Sequence, residues 1–338
     1  MDDPAFGRVP RTAARSRRRR TISTSRRATQ RQRRYTLEGK LVLNATDRIT
    51  ILYNLILIIF IFVFRVKIAA YAYHLALNLS VILIVLVLSF MRRSSLPVRT
   101  VSLWYPLVLY GLLYYQTGLI NRVVVPQFLD GFFMNLDVWI FGEFPAFFLR
   151  GKHGNAFLDE FFHFSYFSYY LIIPLTGILL SRKDVKLFES FVFQLSSLFY
   201  LCFAIFILLP VEGPIALRNE YYHQGGLFQT MVDVIYTGGE NPGAAFPSSH
   251  VAATFLVAWW GSTHFKRLKI SYWLICLFLS IATVYCMFHY AVDVVGGLLL
   301  GVLAVLAFNR AGIKRADSSI KGTPASGYPV APSPGKAV

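Results

Sequence analysis

Charged residues are scarce in this chain. Of its 338 residues, 15% are Asp, Glu, Lys or Arg and 55% are hydrophobic, whereas soluble domains carry about 25% charged residues. A chain with so little charge cannot cover a surface that faces water. The composition therefore excludes a soluble cytosolic enzyme and indicates a polytopic membrane protein.

Cysteine is also rare. The chain has three cysteines, Cys202, Cys276 and Cys286, and all of them lie in apolar runs. Cysteines at such positions are usually small buried side chains, and their spacing gives neither a disulfide framework nor a set of metal ligands. We expect no metal and no cofactor.

Acidic residues are half as numerous as basic ones, 17 against 34, which gives a net charge of +17. Most of this charge lies at the two ends, where residues 1–40 carry +10 and residues 310–338 carry +4. We interpret residues 1–48 and 311–338 as disordered cytosolic tails. Beside a membrane domain, the N-terminal arginines are expected to contact anionic lipids rather than nucleic acid.

Eight apolar stretches are candidates to cross a hydrocarbon core, which takes about 20 helical residues. They are residues 49–64, 68–91, 100–121, 161–181, 190–211, 246–265, 270–290 and 293–309. The predicted fold is an all-α polytopic bundle, with two N-terminal transmembrane helices in residues 49–99. The last two stretches need a turn near His289, because one unbroken helix there would be about twice as long as the membrane is thick.

The loops of this eight-span arrangement differ in charge. Those on the side of the termini are basic, whereas the long opposite loops, 122–160 and 212–240, hold more acidic than basic residues; only the short turn with Arg65 and Lys67 goes against this pattern. Loops rich in Lys and Arg stay on the cytoplasmic side of a membrane. We therefore expect the protein to lie in the plasma or inner membrane, with both termini in the cytoplasm. Residues 123–149 are aromatic but interrupted by prolines and acids, which predicts one or two interfacial helices.

Two histidines and one aspartate stand out near the outer ends of the last three stretches. Asp293 is the only formally charged residue between Ile270 and Asn309, and ionisable residues at membrane depth usually mark function. It follows His289 by four residues, so a helical turn would place both on one face, where the carboxylate could orient the imidazole as a nucleophile. A buried pair that only ties two helices together is the alternative.

His250 follows Pro247, Ser248 and Ser249 at the predicted start of a helix. Backbone N–H groups at such a start, with those of the loop ending at Gly243, make an anion site that suits a phosphate. Ser248, Ser249 and Gly243 are therefore candidate substrate-binding residues. A histidine that merely packs at a helix start is the alternative for His250.

The motif Pro247-Ser248-Ser249-His250 followed by His289-x-x-x-Asp293 resembles two signatures of the type-2 phosphatidic acid phosphatase and vanadium haloperoxidase superfamily. The resemblance implies a six-helix catalytic core in residues 100–310. It also implies that His289 attacks phosphorus to give a phosphohistidine, Asp293 orients it, and His250 protonates the leaving oxygen.

The chain departs from this pattern in its cations. The phosphatases of the superfamily carry Ser-Arg where this chain has Ala282 and Thr283, and their first motif, a Lys followed seven residues later by Arg-Pro, is not evident before Pro247. The same departures occur in fungal inositol phosphorylceramide synthase and sphingomyelin synthase, which the segments 136–145, 210–214 and 285–293 also resemble. Arg218 is the candidate phosphate clamp, and an exposed loop arginine paired with Glu212 or Glu220 is the alternative.

Three functions remain open. The preferred one is an inositolphosphotransferase-like lipid phosphotransferase that moves a phosphoryl or phospho-head group between membrane lipids. The alternatives are a lipid phosphate or polyprenyl-diphosphate phosphatase, favoured if Arg218 reaches the histidines, and a non-catalytic scaffold or transporter, favoured if His250 and His289 lie more than about 10 Å apart. We expect His163 and the nearby Tyr166, Tyr169 and Tyr170 to be packing or interface residues.

The predicted orientation can be tested by cysteine labelling. A cysteine in place of Gly239 should react with a membrane-impermeant maleimide added outside intact cells, because the 212–240 loop faces outward. The control Arg267→Cys should be protected. Labelling at position 239 only by reagent delivered to the cytosol would refute the topology.

Overall fold

The structure, a computed structural model, describes residues 41, 43–92, 94–151, 154–222, 225–239 and 241–310. The tail predicted for residues 311–338 lies outside this range, as does the tail predicted at the N-terminus except for its last residues. At the N-terminus the predicted tail, residues 1–48, extends a few residues too far. The first helix already begins at Ala45, where Asn44 and Asp47 form a capping box.

The described residues form twelve α-helices, one 3₁₀ turn and no β-strand longer than an isolated bridge. The predicted all-α fold is confirmed. The helices are α1 (Ala45–Val63), α2 (Tyr71–Met91), α3 (Leu96–Ile120), α4 (Asp130–Phe141), α5 (Pro145–Arg150), α6 (Ala156–Lys183), α7 (Val185–Leu208), α8 (Ile215–Tyr221), α9 (Leu227–Gly238), α10 (Ser249–His264), α11 (Lys269–Tyr285) and α12 (Ala291–Arg310).

Seven stretches of the described chain are long and apolar enough to span a membrane: α1, α2, α3, α6, α7, α12 and the stretch Lys266–Tyr285 that contains α11. The sixth predicted stretch is not among these seven, because its helix, α10, has 16 residues. At 1.5 Å per residue it is about 24 Å long, short of a core of about 30 Å. The apolar run looked longer because residues 246–248 belong to a loop and a helix cap.

The chain divides into two compact units, Met1–Pro106 and Leu107–Val338. In the first unit α1 packs against α2, and a fully buried carboxylate, that of Asp47, joins their ends. Arg92 forms an ion pair with it at 2.8 Å, and Ser89 and Tyr105 donate hydroxyl hydrogen bonds to it. A buried carboxylate needs such partners to offset its lost hydration.

The second unit is organised around α10, which packs against α6, α7, α11 and α12. Ten of its sixteen residues are buried, among them Ala252, Ala253, Ala258 and Gly261. Small side chains let neighbouring helices approach closely, which is how apolar helices associate within a membrane. The close approach places the start of α10 beside the start of α12.

Glycines on α12 make this approach possible. A Cβ on Gly297 would lie 2.5 Å from the backbone oxygen of Ser248, and a Cβ on Gly301 would lie 3.0 Å from atoms of the Phe255 side chain. The two glycines are four residues apart, so they share one face of α12. They fix the distance between α12 and the segment that begins α10.

Two short helices, α4 and α5, follow α3 in the region where interfacial helices are expected. They have 12 and 6 residues, too few to cross a bilayer. One side of α4 is exposed at Phe132 and Trp139, whereas Phe133 and Asp137 on the other side are buried. Their location at the interface stays a prediction.

Gly297→Ala should destabilise the protein. The new methyl group meets a backbone oxygen that cannot rotate away, and such overpacking costs about 1–3 kcal/mol. Thermal unfolding in detergent should show a lower Tm, whereas Gly131→Ala, where a Cβ meets nothing within 4 Å, should leave Tm unchanged or higher. Equal Tm values for the two variants would contradict the close packing.

Candidate active site

The first turn of α10 positions His250. Ser248 is the N-cap, and its hydroxyl accepts a hydrogen bond from the amide of Val251. Its own amide donates to the backbone oxygen of Asp293 at 3.0 Å. The start of α10 is thereby bonded to the first turn of α12, and His250 follows two residues after this junction.

A sharp turn positions His289. α11 ends at Tyr285, and the amides of Phe288 and His289 both donate to the backbone oxygen of Thr283 at 3.0 Å. Met287 has a φ of 58°, in the left-handed region that is uncommon for residues other than glycine. The turn predicted near His289 is confirmed, and His289 is 4% exposed there.

Asp293 lies beside His289 for a reason other than the one expected. His289 precedes α12 and is not part of a helical turn with Asp293. The turn itself brings His289 Nδ1 to 3.4 Å from Asp293 Oδ2, while the same oxygen accepts the amide of Tyr290 at 2.9 Å. The carboxylate is fully buried; it binds the start of α12 and lies close to the imidazole, whose Nδ1 makes no hydrogen bond among the described residues.

The two histidines lie next to each other. The ring centroids of His250 and His289 are 5.6 Å apart, well inside the limit of about 10 Å beyond which one phosphate could not bridge them. The structure thus brings together the three residues for which the motif predicts catalytic roles. A tetrahedral phosphorus group can contact both rings at this separation.

Tyrosines surround His250, which sequence reasoning did not foresee. Tyr166 Oη lies 3.1 Å from His250 Nε2, and the ring of Tyr169 lies 4.4 Å from the imidazole. His250 Nδ1 is buried without a hydrogen-bond partner among the described residues. The spacing of Tyr166 and Tyr169 along one helix gave no sign of this contact, because aromatic residues in a membrane helix are usually packing residues.

A cavity of about 620 Å³ opens beside His250. Seven tyrosines from α3, α6 and α9 line it, together with apolar residues and Ser249, and His250 is the one lining residue other than tyrosine with an ionisable side chain. Ligand sites typically have volumes of about 300–1,000 Å³ and few polar groups. The cavity suits an uncharged, partly apolar group. The tyrosines are Tyr110, Tyr114, Tyr115, Tyr166, Tyr169, Tyr170 and Tyr236.

Arg218 lies in α8 and is buried, so the alternative of an exposed arginine paired with Glu212 or Glu220 is wrong. Its guanidinium donates to Asp233 Oδ1 at 2.5 Å and to His163 Nε2 at 3.3 Å. It also lies over the ring of Phe288, 4.5 Å from the centroid. This arrangement could not be predicted, because the segment that forms the short helices α8 and α9 has the mixed polarity of a loop.

Gly243 stands in the chain segment that leads to α10. Its φ is +91°, and its backbone oxygen accepts the amide of Val211 at 3.3 Å, while Ala245 donates to the oxygen of Val211 at 2.7 Å. A Cβ on Gly243 would collide with the side chain of Asn121. Only glycine fits this backbone conformation in so little space.

The electrostatics of the site favour a neutral nucleophile. Burial lowers the pKa of His289 to about 4, although a hydrogen bond to the backbone of Ala245 partly opposes the shift. The imidazole is therefore uncharged near neutral pH, with a lone pair available. The described residues include no group of three or more His, Cys, Asp or Glu side chains arranged to hold a metal ion.

Comparison with known proteins identifies the domain that contains this site. A family model described as the PAP2 superfamily matches residues 132–307, just over half of the chain. Searches of curated proteins and of solved structures found no match. The matched region contains His250, His289 and Asp293, and the superfamily includes phosphatases and phosphotransferases whose substrates are in general lipid phosphates. The chain belongs to the PAP2 superfamily and carries its enzyme domain.

Proposed function

We propose that this protein is an integral membrane lipid phosphotransferase that moves a phosphoryl or phospho-head group between lipids through a phosphohistidine on His289. The observation that carries the proposal is the separation of 5.6 Å between the rings of His250 and His289, with Asp293 Oδ2 3.4 Å from His289. A nucleophile, an orienting carboxylate and an acid–base group then surround one phosphorus position.

The reaction has two steps. His289 attacks phosphorus, the bond from phosphorus to the lipid alkoxide breaks, and His250 gives a proton to the departing oxygen. The acceptor alcohol then loses its proton to His250 and attacks phosphorus, which breaks the bond to His289. Asp293 accepts a hydrogen bond from the Nδ1–H group of His289 during the reaction and keeps the other ring nitrogen directed at phosphorus.

The donor is expected to be a phosphodiester. Its phosphate carries one negative charge, whereas a phosphate monoester carries nearly two at neutral pH and needs more cations. The described hydrogen bonds of Arg218 go to Asp233 and His163, not to either catalytic histidine. This arrangement favours head-group transfer over a lipid phosphate or polyprenyl-diphosphate phosphatase.

Backbone groups supply the remaining contacts to phosphate. The first turn of α10, with Ser248 and Ser249, presents the positive end of a helix dipole, and Gly243 shapes the segment before it. Arg218 lies over the ring of Phe288 and makes the local electrostatic potential more positive, although it stays paired with Asp233. We propose on that basis that Ser248 and Ser249 bind the phosphate, that Gly243 shapes their approach to it, and that Arg218 acts on it through charge alone.

The acceptor is expected to enter the tyrosine-lined cavity. An alcohol bound there has its hydroxyl beside His250, and the uncharged walls keep out competing water. The segments that resemble inositol phosphorylceramide synthase support an inositolphosphotransferase-like reaction. In this proposal α10 crosses the membrane together with the residues that flank it, so the site lies on the extracytoplasmic face and both termini lie in the cytoplasm, where the N-terminal tail contacts anionic lipid.

His289→Ala should abolish turnover, because the nucleophile is lost. His250→Ala should lower kcat by about 10²- to 10⁴-fold and accumulate an acid-labile label on His289 from a donor labelled at phosphorus, since the acceptor is no longer deprotonated. His264→Ala, at the opposite end of α10, is the control and should keep wild-type turnover. Robust activity of His289→Ala would contradict the mechanism.

The pH dependence follows from the buried imidazole. With a pKa of about 4 for His289, protonation of the nucleophile should lower kcat/KM for a phosphodiester donor only near pH 4, whereas protonation of the acid, His250, should not lower it. A titration of kcat/KM from pH 8 to 4 measures this. Half of the activity lost near pH 6.5, the usual histidine value, would contradict the buried nucleophile.

A further inference from the structure

We infer that Asp130 and Asp137, two carboxylates on α4, are positioning residues that hold the turn of His289 in its reactive geometry. The inference rests on the catalytic role proposed above for His289. Neither carboxylate belongs to the His-His-Asp motif, and each contacts the turn from outside it.

Asp137 binds the start of α12. Its side chain is fully buried; Oδ2 accepts the amide of Ala291 at 2.9 Å, and Oδ1 accepts the amide of Val292 at 2.8 Å. These amides belong to the first turn of a helix and have no partner within it. With the bond from Tyr290 to Asp293, two carboxylates take the three consecutive amides that follow His289.

Asp130 binds the turn from its other side. Its Oδ1 accepts the hydroxyl of Tyr290 at 3.1 Å and the amide of Gly213 at 2.8 Å, and its Oδ2 accepts the amide of Glu212 at 3.0 Å. The Gly213 segment lies against the turn, since a Cβ on Gly213 would be 2.6 Å from the backbone oxygen of Phe288. Asp130 therefore joins the Gly213 segment, which lies against Phe288, to Tyr290 on the other side of His289.

The two carboxylates act from one rigid element. They are seven residues apart, two turns of α4, and so lie on the same face. Phe133 lies between them on that face and belongs to a buried apolar cluster that also contains Tyr290 and Val292. α4 thus fixes the turn by packing and by three accepted hydrogen bonds, and it accepts two more from the Gly213 segment that lies against the turn.

The chemistry of these contacts requires a carboxylate. Both oxygens of Asp137 accept N–H groups, whereas an asparagine has one acceptor oxygen and would turn an NH₂ group toward the second N–H. The start of α12 would have to shift, and His289 with it. Displacement of a reacting group by about 1 Å can cost about 100-fold in rate.

The test compares Asp137→Asn with Glu143→Gln in full-length protein reconstituted in vesicles that contain a phosphodiester donor labelled at phosphorus. Glu143 is an exposed acid just after α4, so its change removes the same charge without touching the turn. The first readout is the single-turnover labelling of His289. A loss of folded protein lowers the labelled amplitude, whereas a displaced nucleophile lowers the rate constant.

We expect the labelling rate constant of Asp137→Asn to fall about 10- to 100-fold, with KM changed less than about threefold and Glu143→Gln like wild type. Amide hydrogen exchange over residues 290–292 should become faster in Asp137→Asn alone. A wild-type rate constant with a reduced amplitude, or unchanged exchange, would overturn the inference. Absence of labelling in wild type would instead refute the proposed function, and the exchange would still decide whether Asp137 holds the turn.

Discussion

Backbone groups buried inside a protein must find hydrogen-bond partners there, because water cannot reach them. The turn between α11 and α12 is where this constraint is most demanding, since the chain reverses there and leaves amides without helical partners. Asp137 and Asp293 accept these amides, and Thr283 accepts those of the turn. The same bonds that satisfy the backbone also fix His289, so the stability of the turn and the geometry of the site depend on the same contacts.

The short, buried helix α10 brings the second histidine to this turn. Gly297 on α12 allows the start of α10 to approach within hydrogen-bonding distance, and Ser248 donates to Asp293 across the junction. His250 then faces His289 on one side and a tyrosine-lined cavity on the other. A phosphate held between the rings and an uncharged alcohol in the cavity would meet at His250, as a transfer reaction requires.

Much of this arrangement could be predicted from the sequence. Long apolar stretches predicted the all-α fold. Two short motifs indicated His250, His289 and Asp293, since local patterns encode helix starts and turns. The environment of Arg218 could not be predicted, because its partners His163 and Asp233 lie 55 and 15 residues away along the chain. The contacts of Asp137 and Tyr166 were missed for the same reason: they join elements whose proximity depends on tertiary packing. The length of α10 was overestimated because a loop can be as apolar as a helix.

The central claim is that the histidine pair transfers a phosphodiester group to an alcohol. The most direct measurement gives the purified protein phosphatidylinositol labelled at phosphorus, with ceramide as the neutral alcohol, and separates the products, with labelled phosphatidate supplied in a parallel reaction. The account predicts that label passes to a new phospholipid of the acceptor while one diacylglycerol is released for each transfer. Release of inorganic phosphate from phosphatidate, with no label in the acceptor, would contradict it.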